Sequence, residues 1–380
     1  MTAPARVCLA PPIHLGTILV TSALLVSALP DAVHGRQQVT EIPADVSCAE
    51  CRVELRRVIT LDAGSADPGV IGYIPTVARS SSTGTWYAAA TDGARQIGVF
   101  DARGRLLRLL GRAGEGPGEY ARISRLEIGP GDTLYVYDRS LGRRTIYGPE
   151  HDLITIDPLP GGFFRDVVTL ASGRYVASMI FQTTERVGYP LHLVSSNGMI
   201  EKSFGVDVPV YPPRDPDGLD RTIAVDRAGR VWSAHVAQYR LEVFDPQGRK
   251  VAEYTRDPPW WRFESRRERP VVWGIAFDQN APHILWIRIS VPAPVGDRPV
   301  RPGAAGERGA RPSQDRSDAS HDTILEALDV RSGQIIASRR FEQSFVFNQQ
   351  GLVSYVRLDD LDAVLDVYQP VLITTSGRLP

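Results

Sequence analysis

Short apolar stretches in strict alternation, punctuated by glycine turns, run through most of the chain. The segment from Arg221, RTIAVDRAGRVWSAHVAQYRLEVFDPQGRKVAEY, reads as apolar strand, Gly turn, apolar strand, polar turn, alternating strand, D-P-Q-G turn and final strand. Period-two alternation bounded by turn residues marks a half-buried β-strand, and four such strands within about 35 residues make one antiparallel sheet. The plan recurs. TWYAAATDGARQIGVFDARGRLLRLLG from Thr85 supplies the last three strands of one unit, and RISRLEIGPGDTLYVYDRSLGRRTIYG from Arg122 gives another. Thr91 to Phe100, Asp138 to Tyr147 and His235 to Phe244 are each nine residues apart. RDVVTLASG, Arg165–Gly173, matches RTIAVDRAG, Arg221–Gly229, in length and pattern, and its unit carries an extra loop near Thr183–Tyr189. WGIAFDQNAPHILWIRI from Trp273 starts a fifth unit, and TILEALDVRSGQIIASRRF from Thr323 finishes it. GLVSYVRLDDLDAVLDVYQPVLI from Gly351 belongs to a sixth. The early strand RVELRRVITL, Arg52–Leu61, completes that sixth unit, which closes a ring and removes exposed sheet edges. The expected fold is all-β: a six-bladed β-propeller with four-stranded antiparallel blades over residues 52–378, closed by an N-terminal strand.

The repeat resembles the NHL-repeat class of β-propeller, in its secreted bacterial six-bladed form. The matching pieces are IAVDRAG, VWSAH and YRLEVFDPQG, with DTLYVYD and IGVFDARG, and the Gly-rich linker GRAGEGPGEY, Gly111–Tyr120, is similar to the segment between units in such proteins. The resemblance implies the fold. It leaves activity open, because lyases, lactonases and pure binding modules share this architecture.

Composition adds the setting. Arg6 precedes an uncharged run, Leu15–Leu29, and then Pro30 and small residues through Gly35. This is the layout of a secretory signal over residues 1–35, cut after Gly35, and the run is shorter than the roughly 20 residues that span a bilayer. Cys8 precedes the run and is no lipid-attachment site. Export to the periplasm or the exterior follows, with membrane association only if the signal stays uncleaved. Cys48 and Cys51, in the N-terminal segment 36–51, then meet an oxidising compartment, where a local disulfide is the default reading of C-x-x-C. Redox chemistry lacks a strand–helix context, haem attachment lacks a His at position 52, and zinc lacks further ligands. Basic and acidic residues number 43 and 44, which excludes a nucleic-acid partner held by a basic surface. Residues 292–322 contain no aromatic, Ile, Leu or Met and read as a disordered insertion between the second and third strands of the fifth blade.

Candidate chemistry collects at one end of the ring, where loops between second and third strands meet the connections between blades. Asp138 and His235 end second strands there, Arg143 and Arg240 follow five residues later, and Glu115, Glu119 and Tyr120 come from the Gly-rich linker. For Asp138, Arg143 and Arg240 the competing role is to brace the loops. Arg122, Arg165 and Arg221 each stand just before an innermost strand, so three guanidiniums converging at the channel mouth would favour an anion. Trp260, Trp261 and Trp273 offer either inter-blade packing or a stacking surface. The ligand-binding set is therefore Arg122, Arg165, Arg221, Asp138, His235, Arg240 and Tyr120. The expected protein is a monomeric binding or scaffold module for a small anionic ligand, a glycan or a protein, without a cofactor. The alternative is a propeller hydrolase or lyase using Ca or Zn. Against it, G-x-S-x-G and H-E-x-x-H are absent, and Glu127, Asp166 and Asn348 are carboxylate and amide candidates that match no motif.

Overall fold

The computed structural model describes residues 39–64, 70–72, 74–91, 93–181, 185–206, 218–263, 269–293, 321–359, 362–374 and 377–378. The expected signal segment 1–35, with Cys8, and residues 294–320 of the expected insertion lie outside them.

Six four-stranded antiparallel sheets form the blades of a propeller. Lettering strands a to d from the channel outward, blade 1 is Pro75–Arg79, Trp86–Ala90, Ile97–Phe100 and Leu106–Leu110. Blade 2 is Ile123–Ile128, Leu134–Asp138, Arg143–Tyr147 and Leu153–Pro158. Blade 3 is Phe163–Thr169, Tyr175–Ile180, Leu191–Val194 and Ile200–Phe204. Blade 4 is Arg221–Val225, Val231–His235, Arg240–Phe244 and Lys250–Arg256. Blade 5 is Val271–Phe277, Ile284–Pro292, His321–Asp329 and Gln334–Phe341. Its strands b and c run further into the expected insertion than the composition implied, with Pro292 paired to His321. Blade 6 takes strands a to c from Val346–Phe347, Val353–Asp359 and Asp362–Thr374, and strand d is Arg52–Asp62. That last pairing, antiparallel with Arg52 opposite Ile373, closes the ring as the apolar pattern required.

Middle strands such as Trp86–Ala90 and Ile97–Phe100 are apolar and buried at consecutive positions, which covers both faces of a blade, so every seam between neighbours is a small core. The seam of blades 4 and 5 buries Trp232, Leu241, Ile287 and Ile289, among others, and that of blades 6 and 1 buries Leu61, Trp86, Phe100 and Leu365. At the latter, Gly104 sits at φ +84° with Thr60 O only 2.0 Å from where a Cβ would be, so no other residue fits that turn.

The N-terminal segment does more than lead into the ring. Val39–Ile42 adds a parallel fifth strand to the outer edge of blade 4. Ser47 N donates to Ile335 O on the outer strand of blade 5 (2.8 Å). Cys48 and Cys51 form a disulfide before the chain enters blade 6. Arg256 fixes this strap. It donates to Pro43 O (3.0 Å) and Ala44 O (2.6 Å) and pairs through Nη1 with both oxygens of Glu326 (2.7 Å each). Glu326 also accepts from the hydroxyl of buried Tyr239.

Two irregularities shape the channel. The inner strands of blades 2, 3 and 5 each carry a bulge, leaving Ser124, Arg165 and Trp273 without a partner in strand b. The a–b turn of blade 6 crosses the axis: Gln349 Nε2 donates to Val167 O in blade 3 (3.0 Å) and Ile223 O in blade 4 (3.3 Å), and Asn348 Nδ2 to Val77 O in blade 1 (3.2 Å).

Candidate functional site

Strand a begins, and strand b ends, at the same end of the channel, so the bulges re-aim side chains there. The Arg165 guanidinium stacks on Trp273, 4.3 Å from its ring centroid, and joins blade 3 to blade 5 past the inner strand of blade 4. Trp273 stays 39% exposed, leaving part of the indole to solvent. Arg139, just after strand b of blade 2, donates to Phe164 O (3.0 Å), and Arg122 Nε to Thr91 O (2.9 Å). Partial burial, then the charges of Arg122 and Arg165, hold Arg139 below the usual arginine range. The mouth thus gathers three guanidiniums and one indole.

Arg221 departs from the expected convergence. Its strand has no bulge, so Arg221 pairs directly with His235 and points with Ile223 into the seam with blade 3. It is 2% exposed, and Nη2 lies 3.8 Å from Glu242. Arg139, which the sequence reading passed over, takes its place at the mouth. The signal was available: Arg139 follows Asp138 at the same loop end.

His235 and Arg240 join Arg221 around Glu242. Glu242 Oε2 lies 3.0 Å from His235 Nε2, and Oε1 accepts from Arg240 Nη2 (3.0 Å) and Lys250 Nζ (3.4 Å). Burial, then the charge of Arg221, lowers His235 to about 4, so it is neutral at pH 7. These partners hold Glu242 well below the usual carboxylate range despite its burial. This cluster borders a cleft of about 610 Å³ between blades 3 and 4.

The other expected residues brace the scaffold. Tyr120 is wholly buried and its hydroxyl donates to Tyr147, so it faces the seam of blades 1 and 2 and not the mouth. Asp138 accepts from the amides of Ala121, Arg122, Ser140 and Leu141, so its carboxylate organises the loop. Arg143 donates to the carbonyls of Glu115, Gly116 and Glu119, which folds the Gly-rich linker around it, while Glu119 pairs with Arg112. Trp260 and Trp261 are half-buried and pack edge-on against Tyr239.

The channel carboxylates are engaged by protein donors. Arg125 lies 3.1 Å from Glu127 and 2.7 Å from Asp166. Thr169 donates to Glu127, and Thr222 and Ile223 N donate to Asp166. Asn348 Oδ1 is taken by the amides of its own turn. Of the histidines, His192 bonds Ser203, Met179 O and Tyr189 O, and His151 meets the Tyr87 hydroxyl. Among the described residues no group of three or more His, Cys, Asp or Glu is placed to hold a metal ion.

No protein-family model matches the chain, and no curated protein matches it. Solved structures do. A member of the DUF4221 family from Bacteroides vulgatus aligns at 10% identity over 85% of this chain and 99% of its own, with a TM-score of 0.57. A protein described as exported, from Bacteroides fragilis, aligns at 9% identity over 87% and 98%, with a TM-score of 0.54. Streptogramin B lyase follows at 11% identity over 86% and 98%, with a TM-score of 0.45. At these identities the likeness shows the fold alone. The chain is a six-bladed β-propeller.

Proposed function

We propose that this is an exported, NHL-type propeller that acts as a binding module, and that the channel mouth takes an anionic ligand, an acidic sugar being the form best suited to it. The observation that carries the reading is the grouping of Arg122, Arg139 and Arg165 beside the part-exposed Trp273, in a chain whose formal net charge is only −1. Guanidiniums bind carboxylates bidentately, and an indole face takes the apolar face of a sugar ring. The bridge made by Gln349 gives the channel a floor, as a pocket requires and a pore does not. Export is supported by the apolar N-terminal run, by the Cys48–Cys51 disulfide, and by the description of the Bacteroides fragilis neighbour.

Titration calorimetry with trigalacturonate tests it. The wild-type protein should bind with an affinity that falls as salt rises. The double variant R139A/R165A should bind at least about tenfold more weakly, the loss of two charge-assisted contacts. Equal binding of neutral maltotriose, or unchanged affinity in the double variant, would overturn the reading.

A further inference from the structure

The seam between blades 3 and 4 is unlike the others. Among the described residues its apolar cluster is the smallest, with seven buried residues against seventeen between blades 4 and 5. Where the remaining apolar packing would stand, the blade 4 face carries Arg221, His235, Arg240, Glu242 and Lys250, and the cleft of about 610 Å³ opens against Lys202, Phe204 and Tyr189 of blade 3. That volume suits a small organic molecule.

Among the described residues the charges in its wall do not cancel. Lys202, Arg221, Arg240, Arg249 and Lys250 line the cleft, and the one carboxylate among its described lining residues, Glu242, is already shared among His235, Arg221, Arg240 and Lys250. Glu253 and Asp245 take further contacts from Lys250, Arg240 and Arg249, which leaves cations in excess among the described residues. Among the described residues Lys202 reaches no carboxylate, and it donates to Gln247 O. Arg221 is 98% buried, counted from its 2% exposure, and its Nε has no hydrogen-bond partner. The chain has only two lysines among 43 basic residues, and both stand in this wall, one from each blade. A lysine offers three rotatable donors on a flexible stem, which suits an anion of varied geometry better than a fixed guanidinium fork. Tyr189 adds ring surface, and the buried Phe204 and Phe244 back the cleft from the core.

We propose that the cleft between blades 3 and 4 is a second binding site, distinct from the channel mouth, for a small molecule that carries a phosphate or carboxylate on a compact aromatic or similarly apolar body. The anionic group meets Lys202 and Lys250, backed by Arg221 and Arg240, and the apolar body lies against Tyr189, with Phe204 and Phe244 behind.

The probes are phenyl phosphate, inorganic phosphate and phenol, titrated into the full chain by calorimetry. Phenyl phosphate should saturate one site below about 1 mM and bind more tightly than either fragment. Lys202→Met should weaken it about tenfold without moving the melting temperature, because that side chain is exposed and bonds only a turn carbonyl. Lys250→Met should weaken it too, with some loss of stability from its carboxylate partners. R139A/R165A, at the mouth, should leave phenyl phosphate binding unchanged. No saturable binding to the wild-type protein, or equal affinity in K202M, would overturn the proposal. Loss of binding in R139A/R165A alone would move the ligand to the mouth and overturn it as well. Inorganic phosphate binding as tightly as phenyl phosphate would remove the apolar half of the ligand class. Because the trigalacturonate test reads the mouth and this one the cleft, either can fail alone.

Discussion

At the scale of single residues, buried polar groups set the chemistry. His192 is completely buried in strand c of blade 3. Its Nε2 faces two carbonyls, of Met179 and Tyr189, and its Nδ1 faces the Ser203 hydroxyl, which satisfies a neutral ring. Burial lowers it from 6.5 to about 4. The unfolded chain therefore binds a proton near pH 6.5 that the folded chain refuses, so stability is full above that pH and is lost as pH falls toward 4. For His192 the loss amounts to about 3 kcal/mol over the window, and His235 acts in the same direction. Urea unfolding between about pH 7 and pH 4 should show the free energy falling with pH. A flat profile would mean that both rings accept protons inside the fold. The same scale explains where the sequence misled. Arg165 and Arg221 occupy one position in two matching nine-residue segments, yet one faces the mouth and the other a seam. The cause is one extra residue in the bulge of blade 3, and period-two alternation shows nothing of a bulge until the partner strand is known.

At the scale of elements, the blades were legible because each satisfies the same demand. Short strands, apolar at consecutive positions in the middle of the blade, bury two faces, and D-x-x-G turns join them, as at Asp226–Gly229 and Asp245–Gly248, where the Asp carboxylate caps the turn amides. The strap at residues 39–51 was not legible. VTEI is too short to read as a strand, and its parallel partner, Lys250–Arg256, lies over 200 residues away. The strap depends on Arg256, whose donors serve Glu326 and two strap carbonyls at once. Glu326→Gln leaves a buried guanidinium without its charge partner. Such changes cost about 3–5 kcal/mol, and the variant should lose that much in denaturant unfolding, with faster proteolysis at residues 39–51. A loss under about 1 kcal/mol would mean that Tyr239 and the carbonyls hold Arg256 unaided.

At the scale of the whole molecule, the ring is one covalent chain with a single non-covalent join, and the join lies within blade 6. Arg52 stands opposite Ile373, so residues 52–62 could follow Thr374 through a short turn without moving. A circular permutant with that strand transferred to the C-terminal end should fold to a monomer with near-native melting. Deleting the strand outright should give an open, self-associating species in size-exclusion chromatography. A monomeric, fully stable deletion would show that the third strand of blade 6 suffices as an edge. The six-fold plan and its closure could be read from hydrophobic rhythm, since those are demands of burial. The mouth and the cleft could only partly be read, because they sit where the rhythm is broken.

The closing pair also dictates a timetable. Arg52–Asp62 is synthesised about 300 residues ahead of its partner, the third strand of blade 6. Until that partner emerges, a nascent chain is an arc with two bare hydrogen-bonding rims, the kind of surface that pairs with strangers. Folding competence therefore arrives late and all at once, and a chain interrupted anywhere before its final blade is left sticky at both ends.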